Sequence, residues 1–355
     1  MNVLNNINIE PYGYSHGAVI GFKMTGIPAG YEIDFDTIQK LLLKRKGNAK
    51  YNTTRSESEK LELRSGFTNN VTNGEQIWIE INQDNFRSSD YQFGIVRPGH
   101  ADLSAYQKYG QDWNYSGGGQ FSGRLTVLYV IAGEIARQVM ATMTTTRIFG
   151  HVSQVGTITD KVENIEQIAS LDDSFPMVNA QVKQTALDYL ATLKVDGDSV
   201  GGKLDVYIDS LTTNYGDDFF GSLESKISFL LFSVPAVKAV EFGIGTEFST
   251  KLGSQVVEKF EVDNGNVKST TNYNGGINGG IANLAAPIKL SVTIKPTSSI
   301  FQTIETVKYN GTNFEKDSLE MTGRHDSFIA NRALWPVIGL LNILFLDLEM
   351  GKNAR

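Results

Sequence analysis

No cysteine occurs among the 355 residues, so disulfides, thiolate metal sites and cysteine nucleophiles are excluded together. A basic excess is also missing. The net charge of −7 leaves no extended cationic face for a phosphate backbone, which argues against nucleic acid as a partner. The N-terminal Met1-Asn2-Val3-Leu4-Asn5-Asn6 has neither a basic start nor an apolar run, so it does not read as a signal peptide, and a cytoplasmic location is expected. No Gly-Lys-Ser/Thr follows spaced glycines, and no Gly-x-Gly-x-x-Gly convincingly follows a strand, so a P-loop and a dinucleotide fingerprint are absent. The apolar stretch from Leu334 to Leu346 is too short for a bilayer, is broken by Pro336, Gly339 and Asn342, and runs into Asp347 and Glu349. It is expected to be a buried terminal helix, with no membrane partner. Sequons at Asn52, Asn70, Asn114 and Asn310 matter only in a secreted protein and read as chance matches.

What is present describes an ordinary folded chain. Hydrophobic residues at 41% and charged residues at 20% exclude disorder and fibrous classes. The length allows two domains or one large domain with a repeated core, and no long linker separates parts. Residues 18–24 and 76–81 read as strands. A helix capped by Asp34 or Asp36 follows through Ile38, Leu41 and Leu42, and a second carries Leu125, Leu128, Ile131, Ile135 and Val139 on one stripe. Val182, Ala186, Tyr189, Leu190 and Leu193 trace a third helix, followed by a strand over 203–208. The order then recurs, with a helical pattern over 219–232 and strands over 237–242 and 288–294.

Chemistry concentrates in polar, glycine-punctuated stretches. Three of the four histidines lie in Ser15-His16-Gly17, Arg97-Pro98-Gly99-His100-Ala101-Asp102 and Gly323-Arg324-His325-Asp326. Histidine beside Arg, Asp and turn-forming Gly suits proton transfer at an anionic ligand, although any one stretch could equally be a capped turn. Ser116-Gly117-Gly118-Gly119-Gln120-Phe121-Ser122-Gly123-Arg124 leads into a helix, where backbone N–H groups and the helix dipole can meet an anion. Asn274-Gly275-Gly276-Ile277-Asn278-Gly279-Gly280 would let backbone approach a flat ligand, and Lys295-Pro296-Thr297-Ser298-Ser299 suits a phosphate monoester. Lys44, Arg45, Lys46, Lys50, Arg55, Lys60 and Arg64 outnumber Glu57, Glu59 and Glu62 in a loop that could wrap a small polyanion or simply be a solvated surface run.

In this order the motifs resemble the chorismate synthase family over nearly the whole chain. The carrying residues are Gly13 to Gly17, Gly26 to Gly30, Arg97 to Asp102, Lys108 to Gly110, Ser116 to Thr126, Pro235 to Glu241, Asn274 to Gly280, Lys295 to Ile300 and Gly323 to Asp326. The resemblance implies an α+β fold, a sandwich of helices between antiparallel sheets in two similar halves, as a single domain over residues 1–355 with an internal pseudo-repeat. It implies the anti-1,4-elimination of phosphate from 5-enolpyruvylshikimate 3-phosphate to give chorismate, using reduced FMN, in a homotetramer. NADPH enters only as a reductant, and a flavin reductase as a partner. It places His16, His100 and Asp326 as catalytic: His16 protonates the departing phosphate, His100 holds a proton near the flavin N1 and O2, and Asp326 stands near N5. It places Ser15, Lys44, Arg45, Lys50, Arg97, Arg124 and Arg324 on the substrate, and Gln120, Phe121, Ser122, Pro235, Ala236, Gly279, Lys295, Pro296, Thr297, Ser298, Ser299 and Arg324 on FMN; no metal is implied.

Departures from the family pattern stand at Tyr14 for the usual Glu, at Gln120 to Thr126 for Arg-Ser-Ser-Ala-Arg-Glu-Thr, at Ala282-Asn283-Leu284 for Ser-Asn-Gly, and in a basic loop reduced to Lys44-Arg45-Lys46. They leave two alternatives open: a diverged flavin-dependent lyase acting on another anionic ring, and a non-catalytic FMN-binding protein.

Overall fold

The computed structural model describes residues 3–47, 59–83, 92–321 and 326–352. Most of the expected strands and helices form at the expected places, the strands within two antiparallel sheets. β1 (Asn8–Gly13), β2 (Val19–Thr25), β3 (Leu61–Ser65) and β4 (Ile77–Asn82) make a four-stranded sheet in the order β1-β2-β4-β3. β5 (Arg147–Val155), β6 (Ile158–Thr159), β7 (Gly202–Asp209), β8 (Val237–Phe242) and β9 (Ile288–Ile294) make a five-stranded sheet in the order β8-β9-β7-β5-β6. Inward positions of β4 (Ile77, Ile79, Ile81) and β9 (Ile288, Leu290, Val292, Ile294) are buried, whereas the residues between them are half-buried, as period-two side-chain alternation requires.

Between the sheets lie α1 (Phe35–Lys46), α3 (Val127–Met140), α6 (Leu223–Leu231) and α7 (Ala330–Gly351). Asp34 caps α1, its side chain accepting from Thr37 N at 3.1 Å. α3 and α7 cross on two glycines. A Cβ on Gly133 would lie 2.2 Å from Gly339 Cα, and one on Gly339 would lie 2.3 Å from the Tyr129 carbonyl, so the two backbones touch directly. One continuous apolar core covers both sheets and these helices. By length and composition α7 could cross a membrane, but 78% of its most apolar window is buried inside this core. It extends beyond the expected 334–346 at both ends, and Asp347 near its end anchors the N-terminal segment by accepting from the backbone N–H groups of Asn5, Asn6 and Ile7 at 3.0, 2.6 and 2.8 Å.

Two expectations shift. The helical pattern over 219–232 splits, because Phe219 adopts φ +46° and Ser222 starts a new helix by accepting from Ser225 N at 3.1 Å. α5 (Ala180–Val195) buries only Ala186 and Leu190 of its expected stripe, and Tyr189 faces solvent. α2 (Asp102–Tyr109) and α4 (Ile165–Ala169) complete the helices, and β10 (Ile304–Tyr309) pairs with β11 (Phe314–Leu319) as a hairpin. That hairpin holds α2 in a second small core of Val96, Ala105, Tyr106 and Trp113.

Candidate active site

Four segments that are far apart in sequence meet at the glycine loop. Gly117, Gly118 and Gly119 carry φ values of +61°, +85° and +53°, a left-handed run open to glycine alone without strain. The β1–β2 turn docks on it through Ser15, whose buried N–H donates to the Gly119 carbonyl at 3.1 Å. His16 is thereby laid over Gly117, where a Cβ would come within 2.5 Å of Cδ2 and 2.6 Å of Nε2. The next residue receives His100. A Cβ on Gly118 would lie 2.7 Å from His100 Cε1 and 2.9 Å from Nε2. The Nε2 edges of two histidines far apart in the chain thus rest on adjacent residues of one loop.

His100 is braced from its other edge. Its Nδ1 lies 2.7 Å from Asp102 Oδ1 and 3.1 Å from Arg97 Nη2. Arg97 is itself tied to Asp102 by Nε at 2.7 Å, Nη2 at 2.8 Å and its backbone N–H at 3.0 Å. Burial pushes the Asp102 carboxyl up, but the bonds from His100 and Arg97 outweigh it and hold the group well below the usual carboxylate range. Burial, with the charges of Arg97 and Lys295, pulls the His100 pKa below its ordinary value against the opposing pull of Asp102.

A cation and hydroxyls adjoin this trio. Lys295 Nζ donates to the Gly99 carbonyl and to Ser298 Oγ, the latter at 3.2 Å, and a Cβ on Gly99 would sit 3.2 Å from Ser298 Oγ. Burial and the charge of Lys238 both lower the Lys295 pKa. Ala236, at φ +73°, accepts from Lys295 N at 3.0 Å, and Ser199 Oγ donates to the Thr297 carbonyl at 2.9 Å. A cleft of about 700 Å³ lies on the side of the β1–β2 turn, lined in part by Tyr12, Tyr14, Gln120, Ser122, Tyr129 and Pro235, with neither His16, His100 nor Lys295 in its wall.

Of the residues expected from sequence, His16, His100, Ser15, Arg97, Lys295 and Ser298 converge on the loop or on its contacts. Pro296, Thr297 and Ser299 accompany them, and Gln120, Ser122 and Pro235 line the cleft. Phe121 lies 6.4 Å from the Tyr109 ring, on the side of the small core. Other residues take different company. Arg45 is buried, and its Nη2 donates to the carbonyls of Gly123 and Arg124 at 3.2 and 3.4 Å and to Thr126 Oγ1 at 3.1 Å, so it ties α1 to the start of α3. Lys44 pairs with Asp172. Asp326 pairs with Arg332 at 3.0 Å, whose guanidinium also donates to the Lys46 carbonyl. Gly279, at φ +62°, has nothing within 4 Å of a Cβ position. Lys50, Arg324 and His325 lie outside the described residues.

The anion site expected at the helix start is altered. Gly118 N donates to the Tyr115 carbonyl at 3.0 Å, Arg124 N to Ser122 Oγ at 3.4 Å and Leu125 N to the Ser122 carbonyl at 3.2 Å. Two 3₁₀ turns therefore take up these N–H groups internally before α3 begins. Sequence reading set Asp102 beside His100 without giving it a role of its own, and did not read Gly117 and Gly118 as seats. The spacing His-x-Asp at a helix start and the unbroken glycine run were the available signals.

A family model described as chorismate synthase matches residues 7–349. The chain belongs to the chorismate synthase family. A chorismate synthase of Dehalococcoides mccartyi is 38% identical over 349 residues, covering 96% of this chain and 94% of the relative. One of Porphyromonas gingivalis is 33% identical over 356 residues, covering 98% and 94%. A crystal structure of a chorismate synthase superposes with a TM-score of 0.75 at 22% identity, covering 98% of this chain and 93% of that one, which shows the same α+β fold. The family is one of lyases acting on phosphate-containing substrates.

Proposed function

We propose that this chain eliminates phosphate from 5-enolpyruvylshikimate 3-phosphate in the anti-1,4 sense, giving chorismate with the help of reduced FMN. The observation that carries the reading is the seating of the His16 and His100 Nε2 edges on the adjacent residues Gly117 and Gly118, beside Lys295 and Ser298.

The residues fit a flavin mononucleotide. A monoester phosphate needs a fixed cation and hydroxyl donors, which Lys295 with Thr297, Ser298 and Ser299 supplies, and Ser122, Gln120, Phe121, Pro235, Ala236, Gly279 and Arg324 complete the set proposed to hold it. Reduced FMN, when bound, supplies transient electron donation in a reaction with no net redox change. The protein's own part is positioning and proton handling. His16 donates from Nε2 to the phosphate oxygen as the carbon–oxygen bond breaks and the bonding pair leaves with the phosphate. A ring carbon–hydrogen bond breaks as well, its electron pair completing the new double-bond system and its proton passing to a basic group of the site. His100 takes part in proton transfer through its Nε2 edge. Arg97 acts through Asp102 and His100, while Ser15, Lys44, Lys50, Arg124 and Arg324, with Arg45 bracing the loop behind them, orient the anionic substrate. Asp326 is the third catalytic group. We read the chain as one domain of two similar halves, assembled as a cytoplasmic homotetramer, with reduction of the flavin by NADPH through its own or a partner's reductase activity.

One observation favours a second reading. No Lys, Arg, Asp or Glu appears among the described residues lining the cleft, and Tyr14 and Gln120 occupy its wall, which suits a less highly charged ring. An anaerobic assay with photoreduced FMN and the phosphorylated substrate decides between the two by chorismate absorbance. Turnover that falls about 10²–10⁴-fold in His16→Ala supports the elimination and the role of His16. Tight flavin binding with no chorismate formed transfers the proposal to the diverged lyase.

A further inference from the structure

The His100 ring has two nitrogens in unlike company, and that company fixes where its proton sits. Nδ1 is 2.7 Å from Asp102 Oδ1 and 3.1 Å from Arg97 Nη2. A carboxylate only accepts and a guanidinium only donates, so these two neighbours demand opposite states of Nδ1. Without a proton, Nδ1 would turn a lone pair on an anionic oxygen at 2.7 Å. With one, it donates to Asp102, and Arg97 loses nothing because its Nη2 already has Asp102 Oδ1 at 2.8 Å. The protonated Nδ1 satisfies Asp102 and leaves Arg97 Nη2 its bond to the same carboxylate. In the neutral ring Nε2 is then bare, and the ring edge that carries it packs against Gly118 closely enough that only glycine fits there.

We propose that Asp102 is a positioning residue that keeps the His100 proton on Nδ1 and presents Nε2, over Gly118, as a proton acceptor. This rests on the reading of His100 as the proton-holding group. The charged groups around the ring are Asp102 and Arg97 from its own turn and Lys295 from the facing segment, with Lys238 beyond Lys295. Two cations against one anion, together with burial, favour the neutral ring. The two histidines thereby divide the work: His16 gives a proton to the leaving group and His100 arrives ready to take one.

Long-range proton–nitrogen correlation on the full chain labelled with ¹⁵N-histidine tests this at pH 7.5, with the His100 signals assigned by their loss in His100→Gln. The expected spectrum has Nδ1 at the shift of a protonated imidazole nitrogen and Nε2 at that of a bare one. The reverse tautomer, or a doubly protonated ring, overturns the proposal without any variant at Asp102. In Asp102→Asn the amide can turn its NH₂ to Nδ1, so the tautomer should reverse and turnover should fall about 10²–10⁴-fold while flavin affinity changes by less than about threefold. A tautomer unchanged in that variant also overturns it. Full turnover in His100→Gln, with the Nδ1–H tautomer observed in the parent, would instead sink the proton-holding reading alone.

Discussion

Two His–Asp pairs stand among the described residues, and they have been put to different uses. His100 and Asp102 stand 2.7 Å apart at the glycine loop, with the His100 side chain 21% exposed. His151 and Asp160 stand 3.5 Å apart in the five-stranded sheet, with side chains 1% and 0% exposed. The carboxylates differ in what else they hold. Asp160 accepts from the backbone N–H groups of Val178 and Asn179 at 2.6 and 3.2 Å, so its charge organises the chain leading into α5. Asp102 is held by Arg97, a side chain whose charge also acts on His100. The histidines differ in what faces their other edge. His100 meets a glycine with no side chain, whereas His151 is enclosed. A His–Asp pair becomes a site where the ring keeps some exposure and lies on bare backbone, and becomes a brace where both partners are closed in.

Breaking the buried pair should have the largest effect on the fold. Asp160→Ala removes the acceptor for two part-buried N–H groups and the partner of His151, and orphaning buried donors costs about 1–3 kcal/mol each. The expected outcome is a loss of about 2–4 kcal/mol in denaturant unfolding, with turnover per folded molecule unchanged. Equal stability would show that the chain into α5 does not depend on Asp160.

The difference between the pairs also marks what sequence could reveal. His16, His100 and the Lys295 to Ser299 stretch stood out because polar residues amid glycines have little packing to do. His151 drew no attention, since an isolated histidine in the run Phe149-Gly150-His151-Val152 carries no period that separates a brace from a ligand. β5 was missed with it, and so were the β10–β11 hairpin and α2. Strong alternation made β4 and β9 legible, and the Asp34 cap made α1 legible. Arg45 was placed on the substrate by the family resemblance, since the charges of the loop alone read equally as a solvated run. Only the fold shows the carbonyls of Gly123 and Arg124 in front of it.

Filling the glycine seat under the neighbouring His16 should spare the fold and damage the chemistry. Gly117→Ala places a methyl 2.5–2.7 Å from His16 Cδ2, Nε2 and Ser15 Oγ, at a φ of +61°. The left-handed conformation costs about 1–2 kcal/mol, and a general acid displaced by about an ångström loses about 10²-fold in rate. Turnover should therefore fall about 100-fold in a protein that still unfolds cooperatively. Unchanged turnover would place the His16 ring outside the reaction.

The smallest effect separates the pairs by pH. Asp102 and Asp160 are both held below the usual carboxylate range, so each contributes stability that is present above that range and lost as pH falls through it. That loss is common to both pairs and falls below about pH 4. His100 adds a second window of its own. Its folded pKa is depressed, so between about pH 6.5 and its lower folded value the unfolded chain binds a proton that the folded chain does not, and stability declines as pH falls. His100→Gln has no such group. Denaturation midpoints measured from pH 7.5 to 5 should decline less steeply in His100→Gln than in the parent, whereas below pH 4 both should fall together. Parallel curves across the upper window would mean that the ring at Gly118 is not held in its neutral form by the charges around it.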